Sequence, residues 1–212
     1  MVASEDLERF RESMKIGFDE WHEGIPYDLE ALDALTPDER LVAEDLALSR
    51  KARDWRDIQA LDHLGSQRCL GEVRKALRSE NPEVRAEAVW ALRRRESVTE
   101  QEVEAAIIDA LDHRTTTLSK GLTRVLSLAL VYRTPAVRRK LLACVLDGKN
   151  ADVRVFSAVY IAFMEGASPS LWESPLWPLY RRFGSGRRSE RRQAYLELCA
   201  EMGRAPELED LG

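Results

Sequence analysis

Cysteine, histidine, glycine and proline are all scarce in these 212 residues, and each shortage excludes a class of protein. The three cysteines, Cys69, Cys144 and Cys199, lie far apart and form no Cys-x-x-Cys pair, which indicates reduced thiols rather than a disulfide framework. The three histidines have no metal-ligand spacing. Eleven glycines and eight prolines are too few for a low-complexity chain. We therefore expect a folded protein with no metal and no other cofactor.

Long apolar runs are also missing from the sequence. No window approaches the roughly 18 consecutive apolar residues that a membrane span requires. The first 15 residues carry six charged side chains from Glu5 to Glu12, so they lack the apolar core of a signal peptide. The sequence predicts a cytoplasmic protein that does not associate with membranes.

Charge is distributed unevenly, although the net charge is only −5. Residues 1–64 contain 17 Asp/Glu and 8 Lys/Arg, a net charge of −9, whereas residues 133–192 contain 5 Asp/Glu and 12 Lys/Arg, a net charge of +7. This asymmetry is typical either of solvated helix faces and caps or of two surfaces that bind different partners. Both interpretations remain open at this point.

The positions of proline and of capping side chains predict an all-α fold. Five of the eight prolines directly follow a side chain that can cap a helix, where the missing N–H has no cost. No segment shows the alternating pattern of a strand. Four helices are predicted in the first 65 residues, near 5–18, 29–35, 37–49 and 55–64. Eight more are predicted near 66–78, 82–95, 100–113, 116–132, 135–147, 151–165, 175–183 and 190–203.

A repeated motif organises the chain from residue 66 onward. Asn81 precedes Val84-Arg85, and 69 residues later Asn150 precedes Val153-Arg154. The eight later helices pair into four hairpins whose starts are about 35 residues apart. Their second helices share apolar or small inward positions: Val84, Leu118 and Val153; Ala88, Leu122, Ser157 and Ala194; Leu92, Leu126, Ile161 and Leu198.

This motif resembles the second helix of a HEAT repeat, in which an acidic residue and a Val-Arg pair contribute to a ladder of hydrogen bonds between repeats. Arg85 and Arg154 match the ladder arginine, whereas Ser119 stands at that position in the second unit. The fourth unit matches only through Arg191, Ala194 and Leu198. The resemblance implies a right-handed α-α superhelix of four hairpins in 66–203, an N-terminal helical cap in 1–65 and a tail in 204–212, together forming one continuous domain.

A row of side chains is expected to face the groove of such a superhelix. At 100° per residue, Trp90 lies about 150° from the centre of the inward arc of its helix. The residues at the same angle on the second helices of the later units are Arg124, Val159 and Leu196. Glu83, Glu87 and Arg94 lie beside Trp90 on its helix. An exposed tryptophan among charged side chains is typical of protein interfaces, so we expect this row to bind a partner.

No set of residues predicts catalysis. The segment His22-Glu23 lies near Tyr27 and Asp28, but a polar cluster in a loop more often anchors the loop or contacts a partner. Residues 184–188 (Gly-Ser-Gly-Arg-Arg) can form either an anion-binding turn or a simple connection. The serines lack a Gly-x-Ser-x-Gly context, and there is no glycine-rich phosphate loop.

The sequence therefore predicts a non-enzymatic HEAT-like scaffold that binds a protein or peptide. Small bacterial proteins of this type serve as adaptors or as immunity proteins that neutralise a toxin, and the acidic first third suits a basic partner. The alternative is nucleic-acid binding, because HEAT-like alkylpurine DNA glycosylases hold DNA on a basic face. That alternative is less favoured, since the net charge is negative and no glycosylase motif matches. The sequence does not indicate an oligomeric state.

Overall fold

The computed structural model describes residues 3–15, 23–50, 53–113 and 116–206. All regular structure in these residues is helical, which confirms the predicted all-α class. None of the described helices is both long enough and apolar enough to cross a membrane. The three cysteines are buried, and none of them forms a disulfide within the described residues. The helices are α1 (Glu5–Ser13), α2 (Leu29–Asp33), α3 (Pro37–Ser49), α4 (Trp55–Leu64), α5 (Gln67–Ala76), α6 (Pro82–Arg94), α7 (Glu100–Asp112), α8 (Leu122–Val131), α9 (Pro135–Asp147), α10 (Ala151–Met164), α11 (Trp177–Arg182) and α12 (Arg188–Glu201).

Capping side chains begin most of these helices where the sequence predicts. Thr36 and Thr99 each form a capping box, with Glu39 and Glu102 respectively. The two prolines of the connection between α10 and α11, at positions 169 and 175, do not begin helices, and α11 starts only at Trp177. The predicted helix over 175–183 is therefore shorter than expected.

The packing of the chain divides it into two units. The first consists of residues 1–79 and 87–97, and the second of residues 80–86 and 98–212. Helix α6 therefore contributes its first turn to the second unit and the rest to the first.

The first unit is an irregular cluster of helices around α4. Helix α4 packs against α2, α3 and α5, while α1 packs against α2 and α3. Phe10, Leu32, Ile58 and Leu61 are fully buried in this cluster. The backbone N–H of Ser4 donates to the carboxylate of Glu39 at 2.9 Å.

Replacing Glu39 by glutamine should weaken the acid dependence of stability. Hydrogen bonds from Ser4 and Thr36 lower the pKa of Glu39 from its ordinary 4.5 to about 2. Because the folded-state pKa is lowered, this contribution is fully present above the unfolded pKa and is lost as pH falls through the folded one. Urea midpoints measured between about pH 5 and pH 2 should fall less steeply for Glu39→Gln than for the native protein. The exposed Glu30→Gln should follow the native curve, and equal slopes for all three proteins would contradict the assignment.

The second unit is a two-layered arrangement of helices. Helices α7, α9 and α12 pack side by side in one layer, and α8, α10 and α11 in the other. The predicted hairpins α7–α8, α9–α10 and α11–α12 each connect the two layers. Every predicted inward position except Leu118 is buried, in both units.

The last hairpin enters these layers in the reverse order. Helix α11 lies beside α10, and Arg154 of α10 donates to the Phe183 carbonyl at 2.9 Å. Helix α12 lies beside α9, where Arg191 donates to the Leu146 carbonyl at 2.8 Å. The predicted alignment of α12 with the second helices is therefore wrong. The long connection after α10 brings the short α11, led by Trp177, onto the layer that contains α10.

Helix α8 begins six residues later than predicted, at Leu122 instead of residue 116. Gly121 precedes it with φ +81°, in the left-handed region. The preceding turn is held by the side chain of Asn150, which donates to the Thr116 carbonyl at 2.7 Å. Leu118 lies in this turn and is 41% exposed, so its predicted inward position is wrong.

Candidate partner-binding surface

The first unit contains three of the predicted partner-binding residues. Trp90 is half-buried and Arg94 is exposed, with its guanidinium 2.6 Å from Asp62. Glu87 is only 3% exposed and accepts a hydrogen bond from the Gln59 amide at 3.1 Å. The expectation that Glu87 flanks Trp90 on an exposed ridge is wrong, because packing against α4 takes this carboxylate out of solvent.

The other three predicted residues lie in the second unit and do not form a row. Arg124 of α8 is half-buried, with its Nε 3.5 Å from Glu83. Val159 is completely buried, because α10 lies between α8 and α11 and is covered on both sides. Leu196 is exposed, but it lies on α12 in the opposite layer. The expected groove position is therefore wrong for Val159, and the structure does not bring Arg124 and Leu196 together.

A different aromatic group is exposed in the second unit. Trp172, in the connection between α10 and α11, is 57% exposed. Its ring centroid lies 6.2 Å from that of Phe156, and the Phe156 ring lies 6.1 Å from that of Trp177 in an edge-on arrangement. We call Phe156, Trp172 and Trp177 the Trp172 surface. Such offset and edge-on ring contacts stabilise the arrangement beyond the area that they bury.

Hydrogen bonds fix the segment that carries Trp172. The indole N–H of Trp177 donates to the Trp172 carbonyl at 2.7 Å. The Ser170 hydroxyl accepts from the backbone N–H groups of Trp172 and Glu173, each at 3.2 Å. The Ser168 hydroxyl donates to the Ser170 carbonyl at 2.7 Å. A tryptophan held in one position loses little conformational freedom when it binds, so it is suited to anchor a partner.

An open cleft of about 440 Å³ lies between α11 and α12. Its lining combines apolar side chains with Glu201 and the ion pair between Arg182 and Glu197. The residues that line it are Pro175, Leu176, Pro178, Leu179, Arg182, Glu197, Ala200 and Glu201. The cleft borders α11 on the side facing α12, while Trp177 of α11 packs toward Phe156 of α10.

The sequence contained a signal for Trp172 that the repeat pattern obscured. Residues 170–178 (Ser-Leu-Trp-Glu-Ser-Pro-Leu-Trp-Pro) hold two tryptophans among serine and proline, with no helical periodicity. Such aromatics have no predicted core position to fill, so they are candidates for exposure.

Comparison with protein-family models, curated proteins and solved structures finds no match to this chain.

Five of the twelve Lys/Arg side chains in the stretch 133–192 lie within 4 Å of a carboxylate of the second unit. Arg138 pairs with Glu165 at 2.6 Å, and Lys140 with Asp112 at 2.5 Å. Further ion pairs join Arg182 to Glu197, Arg187 to Glu190 and Arg188 to Asp147. Two of these carboxylates, Asp112 and Glu197, lie outside the stretch, so the pairing offsets two of its seven net positive charges.

The turn at 184–188, which the sequence allows as either an anion-binding turn or a connection, makes its contacts within the protein. The hydroxyl of Ser185 and the guanidinium of Arg187 both contact the carboxylate of Glu190, and the Ser185 hydrogen bond lowers the pKa of that carboxylate. The carbonyls of Ser185 and Gly186 accept from Arg191 at 2.9 and 3.1 Å. The turn therefore serves as a connection whose polar groups already have partners.

The ladder arginine of α10 binds backbone carbonyls instead of acidic side chains. Arg154 donates to the carbonyls of Gly148 and Phe183, each at 2.9 Å. Burial and the neighbouring Arg191 lower the pKa of Arg154. Asn150, at the acidic position of the motif, caps α10 by accepting from the Val153 N–H at 3.0 Å. These contacts connect α10 to the segments before and after it.

The polar cluster predicted around residue 22 is not a site in the described residues. His22 itself lies outside them, and Glu23 is exposed. Tyr27 is buried, and its hydroxyl donates to Asp57 at 2.9 Å, whereas Asp28 pairs with Arg9 at 2.7 Å. Burial raises the pKa of the Tyr27 phenol and of the Asp57 carboxyl. Within the described ranges, no group of three or more His, Cys, Asp and Glu side chains is arranged to hold a metal ion.

Proposed function

We propose that this chain is a non-catalytic HEAT-like scaffold that binds a protein or peptide partner, as an adaptor or as an immunity protein that neutralises a toxin. The sequence motif supports the repeat assignment, as does the packing of the two hairpins α7–α8 and α9–α10 into two layers. The last hairpin ends this stack in the reverse order, so the second unit does not present there the surface that a further regular repeat would present.

The observation that carries the proposal is the exposure of Trp172 on a fixed aromatic base. Most energetically important interface residues are tryptophan, tyrosine and arginine, because they bring a large apolar area together with a polar group. Trp172 leaves 57% of its surface in water although its backbone is held by hydrogen bonds. Covering that surface with a partner would recover the apolar free energy that folding leaves unused.

Nucleic-acid binding of the alkylpurine DNA glycosylase type is the less supported alternative. Each phosphate contact requires a free cation, and affinity for DNA rises with the number of such contacts. Arg138, Arg182, Arg187 and Arg188 are each within 4 Å of a carboxylate. A peptide that covers Trp172 needs none of these cations.

A photo-crosslinking experiment tests the proposal directly. Trp172 is replaced by the aromatic photo-crosslinker p-benzoylphenylalanine, and the protein is irradiated in extracts of its native host. We expect an adduct that protease destroys and nuclease leaves intact. The matched control places the same group at Val131, an apolar residue of the same unit that is 59% exposed, and should give little or no adduct.

Two results would contradict the proposal. An adduct that nuclease removes would favour the nucleic-acid alternative, and equal labelling at positions 172 and 131 would show that Trp172 is not a preferred contact. Trp172→Ala should abolish the recovery of the same partner while changing the free energy of unfolding by only about 1 kcal/mol, since the side chain is largely exposed.

A further inference from the structure

Helix α3, in the first unit, exposes apolar side chains on the side that faces solvent. Leu41 is 59% exposed and Val42 is 40% exposed, and the half-buried Leu46 and Leu48 flank them. At 100° per residue, these four side chains fall within an arc of about 160°. The opposite side of α3 is buried against α4 and α5 through Ala43 and Ala47. Large apolar side chains left in water on a helix whose other side is already buried indicate a surface that a partner can cover.

Two aspartates lie among these exposed apolar side chains. Asp38 and Asp45 lie in the same arc, on either side of Leu41 and Val42. Asp38 makes no ion pair within the described part of the chain, and Asp45 pairs with Arg68 at 3.0 Å, with both side chains more than 60% exposed. Arg68, which lies on α5, also contacts Glu44. The face belongs to the stretch 1–64, whose net charge is −9.

These two features together specify the kind of partner. An apolar surface among carboxylates complements a segment that carries apolar side chains on one stripe and lysine or arginine at its edges. Helix α3 has 13 residues and is about 20 Å long, which matches a partner helix of similar length packed along it.

We propose that the exposed face of α3, formed by Asp38, Leu41, Val42 and Asp45, is a docking surface for a basic amphipathic helix of another protein. The surface lies in the first unit, and its proposed role does not depend on the Trp172 surface. Each proposal can therefore fail without the other.

Binding of designed peptides tests this proposal. The first probe is a fluorescein-labelled peptide of about 18 residues with leucine on one helical stripe and lysine elsewhere, long enough to form a helix on a surface. A second peptide replaces lysine by glutamate, and a third replaces leucine by alanine. Fluorescence polarisation at about 0.15 M salt should detect binding of the first peptide only.

Matched variants locate the binding on α3. Leu41→Ser should weaken binding of the leucine–lysine peptide about tenfold, because one leucine contact is lost. Val131→Ser, which removes a side chain with the same 59% exposure from the second unit, should leave the affinity within about twofold. The double variant Asp38→Asn/Asp45→Asn should weaken binding about threefold or more. Glu100→Gln/Asp109→Asn, with the same change in net charge on α7, should leave it unchanged.

Any of several outcomes would overturn the proposal. These are no binding of the leucine–lysine peptide up to about 100 μM, equal binding of either comparison peptide, and equal losses in the α3 variants and their controls. Growth of the protein's own mass with concentration, abolished by Leu41→Ser, would assign the face to a second copy of this chain instead. Each substituted side chain is exposed, so the circular dichroism spectrum and the urea midpoint should show that every variant remains folded.

Discussion

Replacing Gly121 by alanine should lower the free energy of unfolding by about 3 kcal/mol or more. Gly121 has φ +81°, which an L side chain rarely adopts. A Cβ at this position would lie 2.6 Å from the backbone nitrogen of Glu83 and 2.7 Å from its Cα. Backbone strain and overlap with backbone atoms therefore add together. Urea denaturation followed by circular dichroism measures the change.

Gly166 provides a control with nearly the same backbone but without the close approach. It has φ +77°, and a Cβ there would meet nothing within 4 Å. Gly166→Ala should therefore lower the free energy of unfolding only through backbone strain, by about 1–2 kcal/mol. The difference between the two variants isolates the contact of the segment before α8 with the first turn of α6. Equal losses would contradict the close packing of these two segments.

Replacing Asp57 by alanine should destabilise the protein by about 3–5 kcal/mol. The Asp57 side chain has no exposed surface, and its carboxylate accepts from the Tyr27 hydroxyl at 2.9 Å and contacts Arg50 Nε at 2.8 Å. It also accepts from the backbone N–H of Asp54 at 2.9 Å. Removing the carboxylate leaves the Tyr27 and Asp54 donors without their acceptor and Arg50 without its counter-ion, and a buried polar group without a partner is costly.

Two further variants separate the buried contact from ordinary surface pairing. Asp33 is 2.8 Å from His63 and largely exposed. Replacing it by alanine should lower the free energy of unfolding by less than about 1 kcal/mol. Tyr27→Phe removes one hydrogen bond and should cost about 1 kcal/mol. Denaturant midpoints of the three proteins decide the matter. A loss for Asp57→Ala as small as that for Asp33→Ala would show that Tyr27 and Arg50 find other partners.

Local chemistry made much of the fold predictable. The capping boxes at Thr36 and Thr99 and the cap at Asn150 depend on residues within one turn, so the sequence alone determines where these helices begin. The start of α8 was mispredicted because it depends on tertiary contacts. Gly121 packs against Glu83, and the Asn150 side chain holds the preceding turn.

The site was much less predictable than the fold. The predicted row assumed that equivalent angles on successive helices face the same groove, which requires every hairpin to enter the stack in the same order. Leu196 violates that assumption because α12 packs against α9. Val159 is buried although α10 enters in the predicted order, because α10 has neighbours on both sides. Trp172 lies in a connection that has no periodicity, so no angular argument could place it.

The division of α6 between two units has a consequence for synthesis of the chain on the ribosome. The first unit needs residues 87–97 in addition to 1–79, so it cannot be completed until Ser97 has left the ribosome. Residues 80–86 leave the ribosome before Ser97, but the residues that they pack against in the second unit begin only at Val98. Neither unit is a contiguous stretch of sequence, so a cut after Ser97 that keeps the first unit whole removes residues 80–86 from the second.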